Sequence, residues 1–166
     1  MTFGQSLLSE FDQEMALTRK AIARVPDAKG DWKPHPKSFS LAHLTQLVSA
    51  MPGWLTNMVT EPDLDLAKSP GYSTQTTASL LAMFDKLAAQ ARETLAAATD
   101  EDVAKSWSLK HGDRVLYTAT RRQVVRETIN HLVHHRAQLT VYLRLLDVPV
   151  PSMYGPTADE PWGAQK

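Results

Sequence analysis

The sequence predicts an all-α protein, a four-helix bundle forming one domain over residues 1–166, with a small hairpin or irregular excursion before the fourth helix. Three observations carry this. Four long segments repeat apolar residues at steps of three and four, the period of a helix with one buried face. Stretches rich in proline, glycine and polar residues separate them. The length of 166 residues also suffices for one core, since a domain of this size buries about 70% of the surface its unfolded chain exposes.

The first helix runs from about Thr2 to Val25, with Leu7 or Leu8, Phe11, Met15, Thr18, Ile22 and Val25 on one face. It ends near Pro26. The segment Pro26 to Ser38 contains Pro26, Pro34, Pro36 and Gly30, and proline biases itself and the preceding residue away from helix, so we expect a loop. The second helix covers about Ser40 to Thr60 behind Ser38 or Ser40 as N-cap, with Leu41, Leu44, Leu47, Val48, Met51, Leu55 and Met58 on one broad stripe. Pro52-Gly53 in its middle predicts a kink or a break.

A second loop follows from Glu61 to Tyr72. The third helix begins between Ser73 and Thr77 and continues to about Ala98, with Leu80, Leu81, Phe84, Leu87, Ala88, Ala91 and Leu95 at helical spacing. From Trp107 to Tyr117 two short extended runs flank Gly112-Asp113, which suits a tight turn. The fourth helix opens at Thr120, three residues before Gln123 as in a capping box, and runs to about Leu146. Val148-Pro149-Val150-Pro151 stops it.

Charge and composition narrow the function. Lys plus Arg number 18 and Asp plus Glu 18, so no basic field exists to collect nucleic acid or an anionic membrane. There are no cysteines, which excludes disulfides, thiolate metal sites and a cysteine nucleophile from the chain. The N-terminal residues lack the pattern of a secretory leader, and no window reaches the roughly 20 apolar residues of a bilayer span. The expectation is a soluble cytoplasmic protein whose partner is a small molecule or another protein.

One constellation points to chemistry. His131 and His135 lie four apart on the fourth helix, which stacks two imidazoles on one face. His134 points away from that face. A third ligand has to come from another helix, and His43, on the first turn of the second, is the only other histidine on a predicted helix; His35 and His111 fall in a loop and a turn. Neutral imidazoles suit zinc, nickel, copper or iron, and three protein ligands leave a position open for water or substrate. Leu132 stands where zinc peptidases of the His-Glu-x-x-His type need glutamate, and Glu127 precedes His131 by four residues rather than the three of di-iron bundles. The plainer reading of two histidines at this spacing is a pair of satisfied core or interface residues.

The run from Thr120 to Gln123, then His131-Leu-Val-His134-His135-Arg136-Ala-Gln138 through Tyr142-Leu143-Arg144, and the tail from Pro149 through Tyr154-Gly155-Pro156 to Asp159-Glu160 resemble the C-terminal part of the DinB/YfiT-like family of damage-inducible helical bundles. Ser38-x-Ser40-Leu41-Ala42-His43-Leu44 is similar to its second-helix motif. The resemblance implies a bundle of up-down-down-up connectivity, commonly a homodimer, with metal ligands that fall on His43, His131 and His135 and a divalent ion, nickel or zinc. It also implies the thiol-dependent S-transferase activity of some relatives, acting with a low-molecular-weight thiol. Three neutral ligands by themselves suit a metal-dependent hydrolase, with Glu127 the only helix-four candidate for a base. The other classes are a metal-binding protein without turnover and a purely structural dimer.

Other residues carry modest expectations. His134 reads as a surface or supporting residue, and Arg136 and Gln138 as solvated or helix-supporting ones. Trp32, Trp54 and Trp107 read as packing residues, and Asp159-Glu160 as a cap or dock for the tail.

Overall fold

In the computed structural model, which describes residues 1–162, each long helix begins where a hydroxyl side chain accepts one of the first free N–H groups. Thr2 starts α1 (Phe3–Ile22) in a reciprocal capping box with Gln5. Ser40 starts α2 (Leu41–Thr60) by accepting from the His43 N–H at 3.2 Å, so the turn that bears His43 is pinned at its origin. Thr76 caps α3 (Thr77–Ala97). Thr99 and Asp102 form a second capping box on α4 (Asp100–Ala104), a short helix that periodicity does not reveal. Thr120 caps α5 (Arg121–Leu145). Only half of the expected capping box forms there, because the Gln123 amide turns instead to Tyr117 and Glu127.

α2 stays one helix through Pro52, so of the expected kink or break the break does not occur. Pro52 is buried, and the neighbouring Gly53 lets α3 approach: a Cβ on Gly53 would lie 3.1 Å from Leu87 Cδ2. α1 and α2 each pack mainly against α3 and α5 and scarcely touch one another. The apolar stripes predicted from the sequence meet in this arrangement, with Phe11, Ile22, Leu44, Val48, Phe84, Leu95, Ile129 and Leu139 among the buried residues. Sheathing these side chains from water is the main favourable term for the fold.

Among the described glycines, Gly4 leaves the least room for a side chain. A Cβ there would stand 2.1 Å from the Leu95 carbonyl oxygen, a backbone atom that cannot swing aside. Gly4→Ala should therefore lower stability by about 1–3 kcal/mol, the usual range for overpacking a well-filled site. Urea unfolding measures it, and an unchanged midpoint would show that α1 and α3 are not held this closely.

The all-α expectation requires correction. Strand β2 (Ser106–His111) and strand β3 (Arg114–Thr120) form the anticipated hairpin, with Gly112 at φ 59 in its turn. A further strand, β1 (Asp63–Asp65), pairs parallel to β2, giving a sheet in the order β1-β2-β3. The protein is mostly helical, with five α-helices and a small three-stranded sheet among the described residues. The loop assigned to Glu61–Tyr72 thus holds a strand and a 3-10 turn (Leu66–Lys68), and the loop assigned to Pro26–Ser38 holds another such turn (Asp27–Lys29). Asp-Leu-Asp has little strand propensity, and β1 is held by tertiary partners. Asp63 pairs with Lys110, and Asp65 Oδ1 accepts the Gly112 N–H at 2.9 Å.

Arg121 joins the sheet end to the helices. Its guanidinium donates to the carbonyls of Val59 and Glu61, satisfying the C-terminal end of α2 from the first residue of α5. At its other end α5 closes with Asp147 at φ 56 and the Val148 N–H bonded to the Leu143 carbonyl at 3.0 Å. No helix among the described residues is long and apolar enough to cross a membrane.

Candidate metal centre

His131 and His135 do meet. Their Nε2 atoms are 2.9 Å apart, and their ring centroids 4.6 Å. Two bare lone pairs at that distance would repel, so either one nitrogen carries a hydrogen or both face a shared cation. Gln138 decides part of this question. Its Oε1 lies 2.7 Å from His135 Nδ1, and an amide oxygen can only accept, so Nδ1 carries the hydrogen. Neutral His135 then has its lone pair on Nε2, aimed at His131. The same Gln138 donates from Nε2 to His134 Nε2 at 3.1 Å, which makes His134 a support for the pair.

His131 lies beside Trp54, ring centroids 6.0 Å apart. Burial, then the neighbouring His135 and His134, lowers its pKa below the ordinary imidazole value. His43 is half-buried on α2, with its ring 4.4 Å from Phe39 and stacked at 4.7 Å on Tyr72. Burial first, then the charge of Lys33, lowers its pKa as well. Both shifts favour the neutral form, the one that can ligate a metal. Among the described residues, no group of three or more His, Asp or Glu side chains closes on a single point. The structure thus brings two of the three predicted residues into contact and leaves His43 on the packed neighbouring helix, engaged by aromatic rings. His35 takes part in its own loop, where Nδ1 accepts the Lys37 N–H at 3.2 Å.

Glu127, the candidate base, is already engaged. Its carboxylate accepts from the Tyr117 hydroxyl at 3.0 Å and from Gln123 Nε2 at 2.8 Å. Burial, and then Glu127, raises the Tyr117 pKa, which keeps the phenol a donor.

With this geometry in view, the sequence matches the model of the DinB family over residues 1–164. The chain belongs to the DinB family. Two solved structures are similar in fold. A DinB-like protein from Bacillus subtilis is 18% identical with a TM-score of 0.70, covering 89% of this chain and 97% of its own. A DinB-like protein from Bacillus cereus is 22% identical with a TM-score of 0.69, covering 90% and 97%. No curated protein matches the sequence.

The DinB-family chain also holds an element that the sequence reading missed. Arg136, expected as a solvated or helix-supporting residue, is only 2% exposed and pairs with Glu14 of α1 at 2.7 Å. It also donates to the Glu14 carbonyl at 3.1 Å, to Thr18 Oγ1 at 3.2 Å and to the Tyr154 hydroxyl at 2.6 Å. Tyr154 in turn donates to the Glu14 carboxylate, 2.8 Å from Oε2. Asp159 accepts from the Val150 N–H and pairs with Arg144, while Glu160 accepts from the Ser152 N–H and pairs with Arg24. The tail is therefore docked by its acidic residues, as expected. Trp107 is a packing residue, buried with its indole N–H on Asn57 Oδ1 at 3.1 Å. Trp32 is only partly buried, packed edge-on against Tyr142 with ring centroids 5.5 Å apart.

Proposed function

We propose that this DinB-family chain is a metal-dependent enzyme acting on a small molecule in the cytoplasm, with His131, His135 and His43 holding one nickel or zinc ion. In this reading the four long helices form an up-down-down-up bundle, and the protein is a homodimer. The observation that carries the reading is the 2.9 Å approach of the His131 and His135 Nε2 atoms while Gln138 holds the His135 Nδ1 hydrogen. Ligating histidines characteristically donate their second ring N–H to such a carbonyl or carboxylate, which fixes the tautomer.

A divalent cation held there supplies Lewis-acid charge that polarises a substrate or favours the ionised form of a thiol. The protein's own residues do the rest. Gln138 orients His135, Trp54 shields one side of His131, and Ser40 fixes the helical turn that carries His43. Two reactions suit the site, hydrolysis and thiol-dependent S-transfer. A second reading, metal binding without turnover, is favoured by one observation: the candidate base, Glu127, is held by Tyr117 and Gln123.

Metal analysis by plasma mass spectrometry of untagged protein purified without chelator tests the proposal. About one nickel or zinc per chain is expected, as for an open three-ligand site. His43→Ala should lose it, whereas His134→Ala should keep it. No metal in the parent protein, even after reconstitution near neutral pH, overturns the reading. A full complement in His43→Ala removes that residue from the ligand set. Metal without hydrolytic or transfer activity favours the second reading.

A further inference from the structure

Beside the histidine pair lies a pocket of about 360 Å³, enclosed by α2, the segment after it, the hairpin and the start of α5. Its walls come from Trp54, Met58, Leu64, Trp107, Leu109 and Val124. Two of the polar handles on these walls are already spent. The Trp107 indole N–H is bonded to Asn57, and the Thr128 hydroxyl to Met58 Sδ at 3.2 Å. His131 and Glu127 border the same space, so an imidazole and a carboxylate share the lining of a mostly apolar pocket.

The chemistry of a fitting ligand follows. Interior walls with so few free donors and acceptors penalise a sugar or a phosphate, most of whose polar groups would be stripped of water without replacement. They reward an aryl or branched-alkyl body, and the volume lies near the lower end of small-molecule pockets, roughly 300–1,000 Å³. Glu127 is the one formally charged side chain on the lining. It accepts two hydrogen bonds, and a carboxylate has lone pairs for more, so it welcomes a donor and repels an anion.

We propose that this pocket binds the apolar body of the substrate, and that the substrate class is a neutral or cationic lipophilic alcohol, thiol or amine rather than a carboxylate, phosphate or sugar. Placing its polar end at His131 rests on the proposed function. The apolar body rests on the pocket alone.

The test uses 3-phenylpropan-1-ol and 3-phenylpropanoate as probes on the full chain, both as purified and after chelator treatment, with binding read by amide and indole NMR shifts. The alcohol should bind both preparations saturably, moving the Trp54 and Trp107 indole signals and the Leu64 and Leu109 amides. The carboxylate should bind at least about tenfold more weakly, a difference of about 1.4 kcal/mol. Glu127→Gln should narrow that gap to about threefold or less, because the neutral amide removes the repulsion. Leu109→Glu should weaken the alcohol about tenfold or more by charging the wall, with circular dichroism confirming the helices. Absence of saturable alcohol binding, shifts confined to another surface, or equal binding of both probes to the parent protein overturns the proposal. Because the chelated protein is included, a pocket that binds while metal analysis is negative leaves this inference standing and removes only the metal reading. A metal-loaded protein that ignores the alcohol does the reverse.

Discussion

Arg136→Met is expected to lower the unfolding free energy by about 3–5 kcal/mol, the cost of removing one partner from a buried ion pair. The guanidinium is 2% exposed and the Glu14 carboxylate lies 2.7 Å away, itself nearly sealed from water. Without Arg136 that carboxylate keeps only the Tyr154 hydroxyl, and a buried charge with one neutral donor is poorly compensated. Adding Glu14→Leu should recover most of the loss, since the apolar replacement removes the stranded charge. Urea unfolding of the parent, the single and the double variant decides it. A loss below about 1 kcal/mol in Arg136→Met would place the pair in the class of weak surface bridges.

His131→Ala should abolish stoichiometric metal retention and leave the helical circular dichroism unchanged. His131 lies outside the buried core, to which Leu132, Leu139 and Leu143 belong. Gln138→Leu is the graded counterpart. Losing the Oε1 acceptor frees His135 to place its hydrogen on either nitrogen, and loss of such a supporting bond typically costs about 10–100-fold in metal affinity. Calorimetric titration of chelated protein with nickel and with zinc measures both variants. Retention of one tightly held ion by His131→Ala would mean that the pair is not the binding site. Unchanged affinity in Gln138→Leu would sink the tautomer argument while sparing the ligands.

The long helices were legible because burial imposes a helical period, and the caps Ser40 and Thr120 because they are hydroxyl residues placed where the period begins; the caps Thr2 and Thr76 were not singled out. The His131–His135 contact was legible for the same reason, as spacing on one helix. Contacts between elements were not. β1 is held by Lys110 and Gly112, each 47 residues further along the chain than its partner, and nothing in Asp63-Leu64-Asp65 announces a strand. Arg136 did leave a signal. It falls four residues after Leu132 and three before Leu139, within the buried stripe of α5, and Glu14 falls three after Phe11 on that of α1. Opposite charges in two apolar stripes that must face each other are a readable pair, and composition alone hides them.

The same pair governs the order in which the molecule can be completed. Glu14 and its partners Arg136 and Tyr154 are separated by 122 and 140 residues, among the most distant contacts a chain of this length can make. During synthesis the carboxylate on the first helix must wait on the order of ten seconds for its guanidinium to emerge. Until then α1 has reason to stay hydrated rather than seal against its neighbours. Closure of the core is thereby tied to arrival of the helix that bears His131 and His135, so collapse of the early helices alone falls short of the native packing, and contacts this non-local slow the final step.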